Sequence, residues 1–185
     1  IIVENAKDGE VFTTLDGTER TLTDDMLLIK DAERGIAIAG VMGGLNSEIE
    51  EDTKTIIVES ANFAGSSVRT TSKKLGLRTE ASARFEKGID PNLCEAAADR
   101  VCRLIELTGA GKVCKGSVDN YPVPEEAKTI DIRVDRINRV LGIELERQEM
   151  VDILESLEIK VAGSGNIMTV TPPTIRQDLL EEEDY

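Results

Sequence analysis

Residues 119–128 read DNYPVPEEAK. Pro122 and Pro124 lack a backbone donor and push the residue before them out of the helical region. With polar neighbours on both sides the stretch reads as a linker, and the hydrophobic pattern changes across it. Two cores are therefore expected, one within 1–120 and a smaller one within 121–185. A length of 185 residues accommodates an ordinary domain plus a small second one. Aromatics make up 3% and Trp is absent, so the interior must be aliphatic.

Before the linker, residues 1–34 read as short strands and turns, with a hairpin signal at Asp16-Gly17 in VFTTLDGTER. GIAIAGVMGG gives a strand over 36–39 that runs into a glycine-rich loop. KTIIVES gives a second apolar strand over 56–59. A helix is expected over 66–75 with Gly76 as its stop. Another starts at Asp90-Pro91, a cap followed by a first-turn proline, and runs to Leu107. Leu93, Ala97, Val101, Leu104 and Ile105 share one of its faces, which predicts packing on a sheet, with Cys94 and Cys102 as small buried fillers.

After the linker come a strand in TIDIRV, a helix capped by Asp135 and ended by Gly142, a helix carrying Met150, Ile153, Leu154 and Leu157, and a hairpin around 163–166. That order resembles a small winged-helix-type module. The fold class expected is α+β, a mixed sheet with packed helices followed by a winged-helix-like α+β module.

The chain has no histidine, which removes His-based triads and His-ligated metals. Cys94, Cys102 and Cys114 form no close CxxC pair, which argues against a disulfide framework or a zinc site and fits a reducing cytoplasm. No stretch approaches the ~20 apolar residues of a membrane span. The opening IIVENAKDGE lacks the basic and apolar parts of a signal peptide. It begins on strand-like residues, and the chain stops at Asp184-Tyr185 without a closing element, as expected of a piece excised from something larger. Catalysis in such a chain must use carboxylates, hydroxyls, backbone groups, lysine, a bound cation or the substrate itself.

Charge is uneven. The net −14 resolves into −9 over 1–62, +4 over 63–118 and −9 over 119–185. A basic island of this kind attracts a polyanion locally, or simply decorates two exposed helix faces.

Four stretches carry chemistry, each with a plainer reading beside it. AGVMGG lets the backbone approach a ligand through Gly40, Gly43 and Gly44, or makes a tight bend; it matches neither GxGxxG nor a P-loop. Glu59 ends a strand, at a pocket mouth or merely in solvent. GLRTEASARFEKGID offers Arg78, Arg84 and Lys87 to phosphates, with Thr79 and Ser82 able to position a water, or else connects two helices with Glu80 and Glu86 as counter-charges. The acidic tail from Asp178 to Asp184 suits Mg²⁺, or starts a helix.

Together these stretches resemble the β subunit of bacterial phenylalanine–tRNA ligase. The resemblance rests on TLDGTERTL, AIAGVMGGLNSEI, IIVESANF, RTTSKKLGLRTEASARFEKGIDP, INRVLG with its following amphipathic helix, and Pro173, Arg176 and Asp178, in the family's order. It implies the C-terminal part of a B3/B4 editing domain over 1–120 and a C-terminally truncated B5 domain over 121–185. Glu158-Ile159 stands where the family has Gly-Phe.

The family further implies a cytoplasmic heterotetramer of two α and two β subunits. It attaches phenylalanine to tRNA(Phe) with ATP and Mg²⁺ on the α subunit, and it hydrolyses mischarged Tyr-tRNA in B3/B4. Matched positions of that editing pocket are Gly40, Gly43, Glu59, Thr79 and Ala81. Glu59 is expected to accept from the tyrosine phenol, Ala81 to leave room for the ring, Thr79 to hold water, and glycine-loop N–H groups to polarise the carbonyl. Arg78, Arg84 and Lys87 are candidates either for guiding the tRNA end or for structural pairing. Asp178 and Asp184 match the first two carboxylates of a Mg²⁺ site whose other two are absent, so neither tight metal nor activity is expected of residues 1–185 alone. The alternatives are a stand-alone RNA- or DNA-binding adaptor and a carboxylate–metal hydrolase.

Overall fold

A computed structural model describes residues 1–185. Contacts divide the chain into two compact units, Ile1–Ile89 with Leu93–Gly116, and Asp90–Asn92 with Ser117–Tyr185. Both are α+β.

The first unit opens with β1 (Ile2–Asn5), β2 (Val11–Thr13), β3 (Glu19–Thr21), β4 (Leu27–Lys30), β5 (Gly35–Ile38) and β6 (Met42–Gly43). β2 and β3 pair antiparallel around the Asp16-Gly17 turn, and β1-β4-β5-β6 form an antiparallel sheet. Gly17 sits at φ +76, where Asp-Gly turns need a residue without Cβ. The helices α1 (Gly65–Lys74), α2 (Glu80–Phe85) and α3 (Cys94–Leu107) follow. The core is Leu22, Met26, Leu28, Ile38 and Val41 from the strands and turns, with Phe12 beneath and Val68 of α1 closing it.

Asp16 and Arg20 lock the hairpin. Arg20 pairs with Asp16 at 2.7 Å, donates to the Thr14 hydroxyl and reaches the Leu75 carbonyl at the end of α1. The Thr14 hydroxyl, the Thr18 N–H and Arg20 hold the Asp16 carboxyl down at about 2.

Four expectations for this unit need correction. Residues 56–59 form no strand; no neighbour pairs with them, and Ile57 is 77% exposed. The helix expected to begin at Pro91 starts at Cys94, after a 3₁₀ turn over Pro91–Leu93. That helix buries no residue, so its apolar stripe packs on no sheet. Cys94 and Cys102 are half-buried and Cys114 is exposed. The connector after Gly76 also contains a helix, α2, that periodicity over six residues was too short to announce.

The second unit contains β7 (Ile130–Arg133), α4 (Val134–Leu141), α5 (Arg147–Ser156), β8 (Lys160–Ala162) and β9 (Ile167–Thr171). The sheet is antiparallel, β7-β9-β8. Its core joins Ile132, Met168 and Val170 to Met150, Val151 and Leu154 of α5. Strand, helix, helix, hairpin is the order read from the sequence. Gly142 ends α4 at φ 70, as its position predicts. Asp135 does not cap α4; it lies in the first turn and accepts from Asn166 instead. Ile153 and Leu157 are exposed, because α5 turns its Met150, Val151 and Leu154 side to the sheet.

Buried Asp90 ties this unit's edges together. Its carboxylate accepts from the Asn92 N–H at 2.9 Å and the Thr174 hydroxyl at 2.6 Å. Asn92 reaches the Glu125 carbonyl, and the Tyr121 hydroxyl donates to Asn92.

Candidate functional site

The glycine stretch is a tight antiparallel hairpin. Val41 N–H closes onto the Ile38 carbonyl at 3.0 Å, and Gly44 N–H onto the Ile36 carbonyl at 2.8 Å. Two of the N–H groups expected to polarise a substrate carbonyl are therefore already committed. Gly40 is at φ +67, and a Cβ there would come within 2.9 Å of Val68 and 3.1 Å of Phe63. Its lack of a side chain is required twice, by backbone sign and by packing. Phe63 stacks at a tilt on Phe85 of α2, with centroids 5.1 Å apart. Gly43 faces Leu15, whose Cδ1 would lie 3.1 Å from a Cβ.

Thr79 fastens this hairpin to α2. It is the N-cap of that helix, accepting from the Ser82 N–H at 3.0 Å, while the Ser82 hydroxyl accepts from the Thr79 N–H at 2.9 Å. This reciprocal box satisfies two donors that a helix start leaves unpaired. The Thr79 hydroxyl then donates to the Val41 carbonyl at 2.7 Å, across 38 residues of sequence. Ser72 of α1 donates to the Leu77 carbonyl and lies 3.4 Å from the Ser82 hydroxyl.

A hydroxyl has one proton and two lone pairs. Thr79 has given its proton to Val41 and one lone pair to Ser82, so toward a further partner it can only accept. A water donating to it would turn a lone pair outward. Ala81 follows two residues later, half-buried at the start of α2. Ser72 and the Val41 carbonyl went unread in the sequence. The Thr79–Ser82 spacing is the signal that could have revealed α2.

Glu59 is exposed at its own surface, yet its carboxyl is pushed above the usual glutamate range by desolvation alone. Protein crowds the group from around without covering it, and no hydrogen bond or cation offsets that crowding.

The basic residues are all exposed. Arg78 has Glu86 at 3.9 Å, Arg84 has Glu80 at 3.5 Å one turn away, and Lys87 forms no ion pair. At the other end of the chain, both Asp178 oxygens hold Arg176, at 2.9 and 2.8 Å. Asp184 accepts from the N–H groups of Leu180 and Glu181. No three acidic or sulfur ligands gather anywhere. As arranged, these carboxylates do not fit a Mg²⁺ cage, which needs convergent oxygens. A groove of about 300 Å³ in the second unit, between Glu125–Lys128 and Pro172–Thr174, contains none of the candidate editing residues. No helix is long and apolar enough to cross a membrane.

Residues 1–109 match the family model of the B3/4 domain, and residues 130–185 match that of the tRNA synthetase B5 domain. The chain is 47% identical over 184 residues to the phenylalanine–tRNA ligase β subunit of Clostridium tetani. It is 48% identical over 185 residues to that of Geobacter sulfurreducens and 42% over 184 to that of Bacillus subtilis. Each alignment takes in 100% of this chain and 23% of the relative.

The chain belongs to the phenylalanine–tRNA ligase β-subunit family.

It spans about a quarter of the length of these curated relatives. Within that family the Thr79–Val41 contact has a plain meaning. It couples the glycine hairpin and the α2 start, two motifs of the B3/4 region that lie far apart in sequence.

Proposed function

We propose that the first unit hydrolyses tyrosine wrongly esterified to tRNA(Phe), within the β subunit of an enzyme that attaches phenylalanine to that tRNA. The observation that carries this reading is the Thr79 hydroxyl bound to the Val41 carbonyl, which leaves an acceptor site beside Ala81 and the Gly40 hairpin.

An aminoacyl ester is already activated, so a held water and modest polarisation suffice. Thr79 accepts from that water and points its lone pair at the ester carbon. The N–H of Gly40, which closes no turn bond, is the donor assigned to the carbonyl oxygen. Gly43 keeps the hairpin close to Leu15. Glu59 accepts from the phenol. A phenylalanine ring offers it nothing, and an already desolvated carboxylate left unpaired makes that complex poor. The water oxygen bonds to the ester carbon, the bond to the ribose oxygen breaks, and the proton that the water gives up passes by way of the neighbouring ribose hydroxyl to that leaving oxygen, releasing tyrosine and the tRNA.

Arg78, Arg84 and Lys87 contact the tRNA. The partners are an α subunit, in a cytoplasmic assembly of two α and two β subunits, and tRNA(Phe). ATP and Mg²⁺ serve ester synthesis on the α subunit. Asp178 and Asp184 are an incomplete carboxylate set, and no editing step is assigned to a metal.

Substituting Thr79 in the assembled ligase tests the reading. Thr79→Val should slow Tyr-tRNA hydrolysis about 10- to 100-fold with aminoacylation intact, and Thr79→Ser should restore most of it. Unchanged hydrolysis in Thr79→Val would remove Thr79 from the mechanism.

A further inference from the structure

Arg69, Lys73 and Lys74, the cations of α1, are none of the candidate editing residues. Between Gly65 and Lys87 the chain carries six Lys and Arg against two Glu, in a protein of net charge −14. The ion pairs of this segment are Lys74–Asp25, Arg78–Glu86 and Arg84–Glu80. Arg69, Lys73 and Lys87 are left without one.

Helix geometry sorts these cations. Val68, Thr71 and Ser72 are the buried residues of α1. Ser72 meets Ser82 of α2, so α2 lies along the Ser72 flank. Arg69 neighbours Ser72 at i, i+3 and Lys73 at i, i+4, which puts both on that flank at its solvent edge. Lys74 lies on the other flank, neutralised by Asp25 at 2.7 Å. The flank next to α2 thus carries two unpaired cations about 6 Å apart along the axis. The weakly paired Arg84 and Arg78 and the unpaired Lys87 belong to the adjoining α2 segment.

We infer that the α1–α2 flank led by Arg69 and Lys73 is a docking surface for the phosphate backbone of an RNA strand. Two open cations one helical turn apart, with only Thr70, Thr71 and Ser72 between them, suit a polyanion better than an acidic protein segment, which would also offer apolar side chains to bury. The acidic stretches before and after do not cancel it. At ~0.1 M salt the field of a charge is screened beyond ~10 Å, so the island acts locally while the rest repels misplaced strands. The identity of the RNA as tRNA rests on the editing reading; the surface itself does not.

The test is binding of tRNA and of a poly-glutamate peptide to the 185-residue chain, measured between about 50 and 200 mM salt. Arg69→Glu with Lys73→Glu should weaken tRNA binding about tenfold or more and flatten the salt dependence by about 0.7–0.9 per lost contact. Lys74→Gln, on the neutralised flank, should leave it unchanged. Thermal unfolding of each variant reports folding separately. Absent or salt-independent tRNA binding by the parent chain, an unaltered affinity in the double variant, or equal binding of poly-glutamate each overturns the proposal. Hydrolysis of Tyr-tRNA by the assembled ligase separates the two readings. If hydrolysis is absent while binding follows Arg69 and Lys73, the surface stands and the editing reading falls. If hydrolysis is present while binding ignores them, the reverse holds.

Discussion

Thr79 does structural work whether or not it touches substrate, and its two roles separate experimentally. Losing the cap and the bond to Val41 should lower stability by about 1–2 kcal/mol in Thr79→Val and by about 0.5 kcal/mol or less in Thr79→Ser, read by urea denaturation. Glu59 behaves in the opposite sense. Desolvation raises its carboxyl above the ordinary 4.5, so the folded state holds the proton more tightly than the unfolded chain. Stability is therefore lost as pH rises through that interval and on to the raised value. Glu59→Gln should melt higher than the parent at pH 7, and the difference should close below about pH 4. Glu158 carries a third local conflict. It lies at φ 64, the single non-glycine residue at positive φ. Glu158→Gly should stabilise by roughly 0.5–1 kcal/mol, the relief of left-handed strain less the added chain entropy of glycine.

Among elements, α3 and the segment over 56–59 show where sequence pattern misleads. Both were legible as apolar, and α3 is a helix as periodicity requires. Neither pattern states what is available to cover it. Val101 and Leu104 are each 42% exposed, and Leu107 is 60% exposed. Leu104→Gln should change stability by no more than about 0.5 kcal/mol, whereas Leu28→Ala in the central strand should lose about 2–5 kcal/mol, both measured by chemical denaturation. Punctuation was more reliable than packing. Gly17, Gly76 and Gly142 mark the turns and helix ends where a positive φ favours glycine, and all three were readable. The two-residue β6 and six-residue α2 were not, because neither is long enough to repeat its period.

For the whole molecule, the linker at 119–128 and the change of pattern across it made two cores legible, and the structure has two compact units. What no local reading supplied was the coupling between distant motifs. The glycine loop and the GLRTEASARFEKGID stretch were each readable as a ligand site or as a turn. They are a hairpin and a helix start joined by one hydroxyl, which is long-range information that no window of sequence contains. Charge was readable as a basic island over 63–118; the division of α1 into a neutralised and an open flank needed the Lys74–Asp25 pair.

The central claim is that Glu59 reads the phenol of an ester that Thr79 helps to hydrolyse. It is tested most directly by comparing hydrolysis of Tyr-tRNA(Phe) and Phe-tRNA(Phe) by the assembled ligase carrying Glu59→Gln. Preference for the tyrosyl ester should fall about 10- to 100-fold, mainly through weaker binding of that ester, while Phe-tRNA synthesis continues. An unchanged tyrosine preference in this variant would contradict the account.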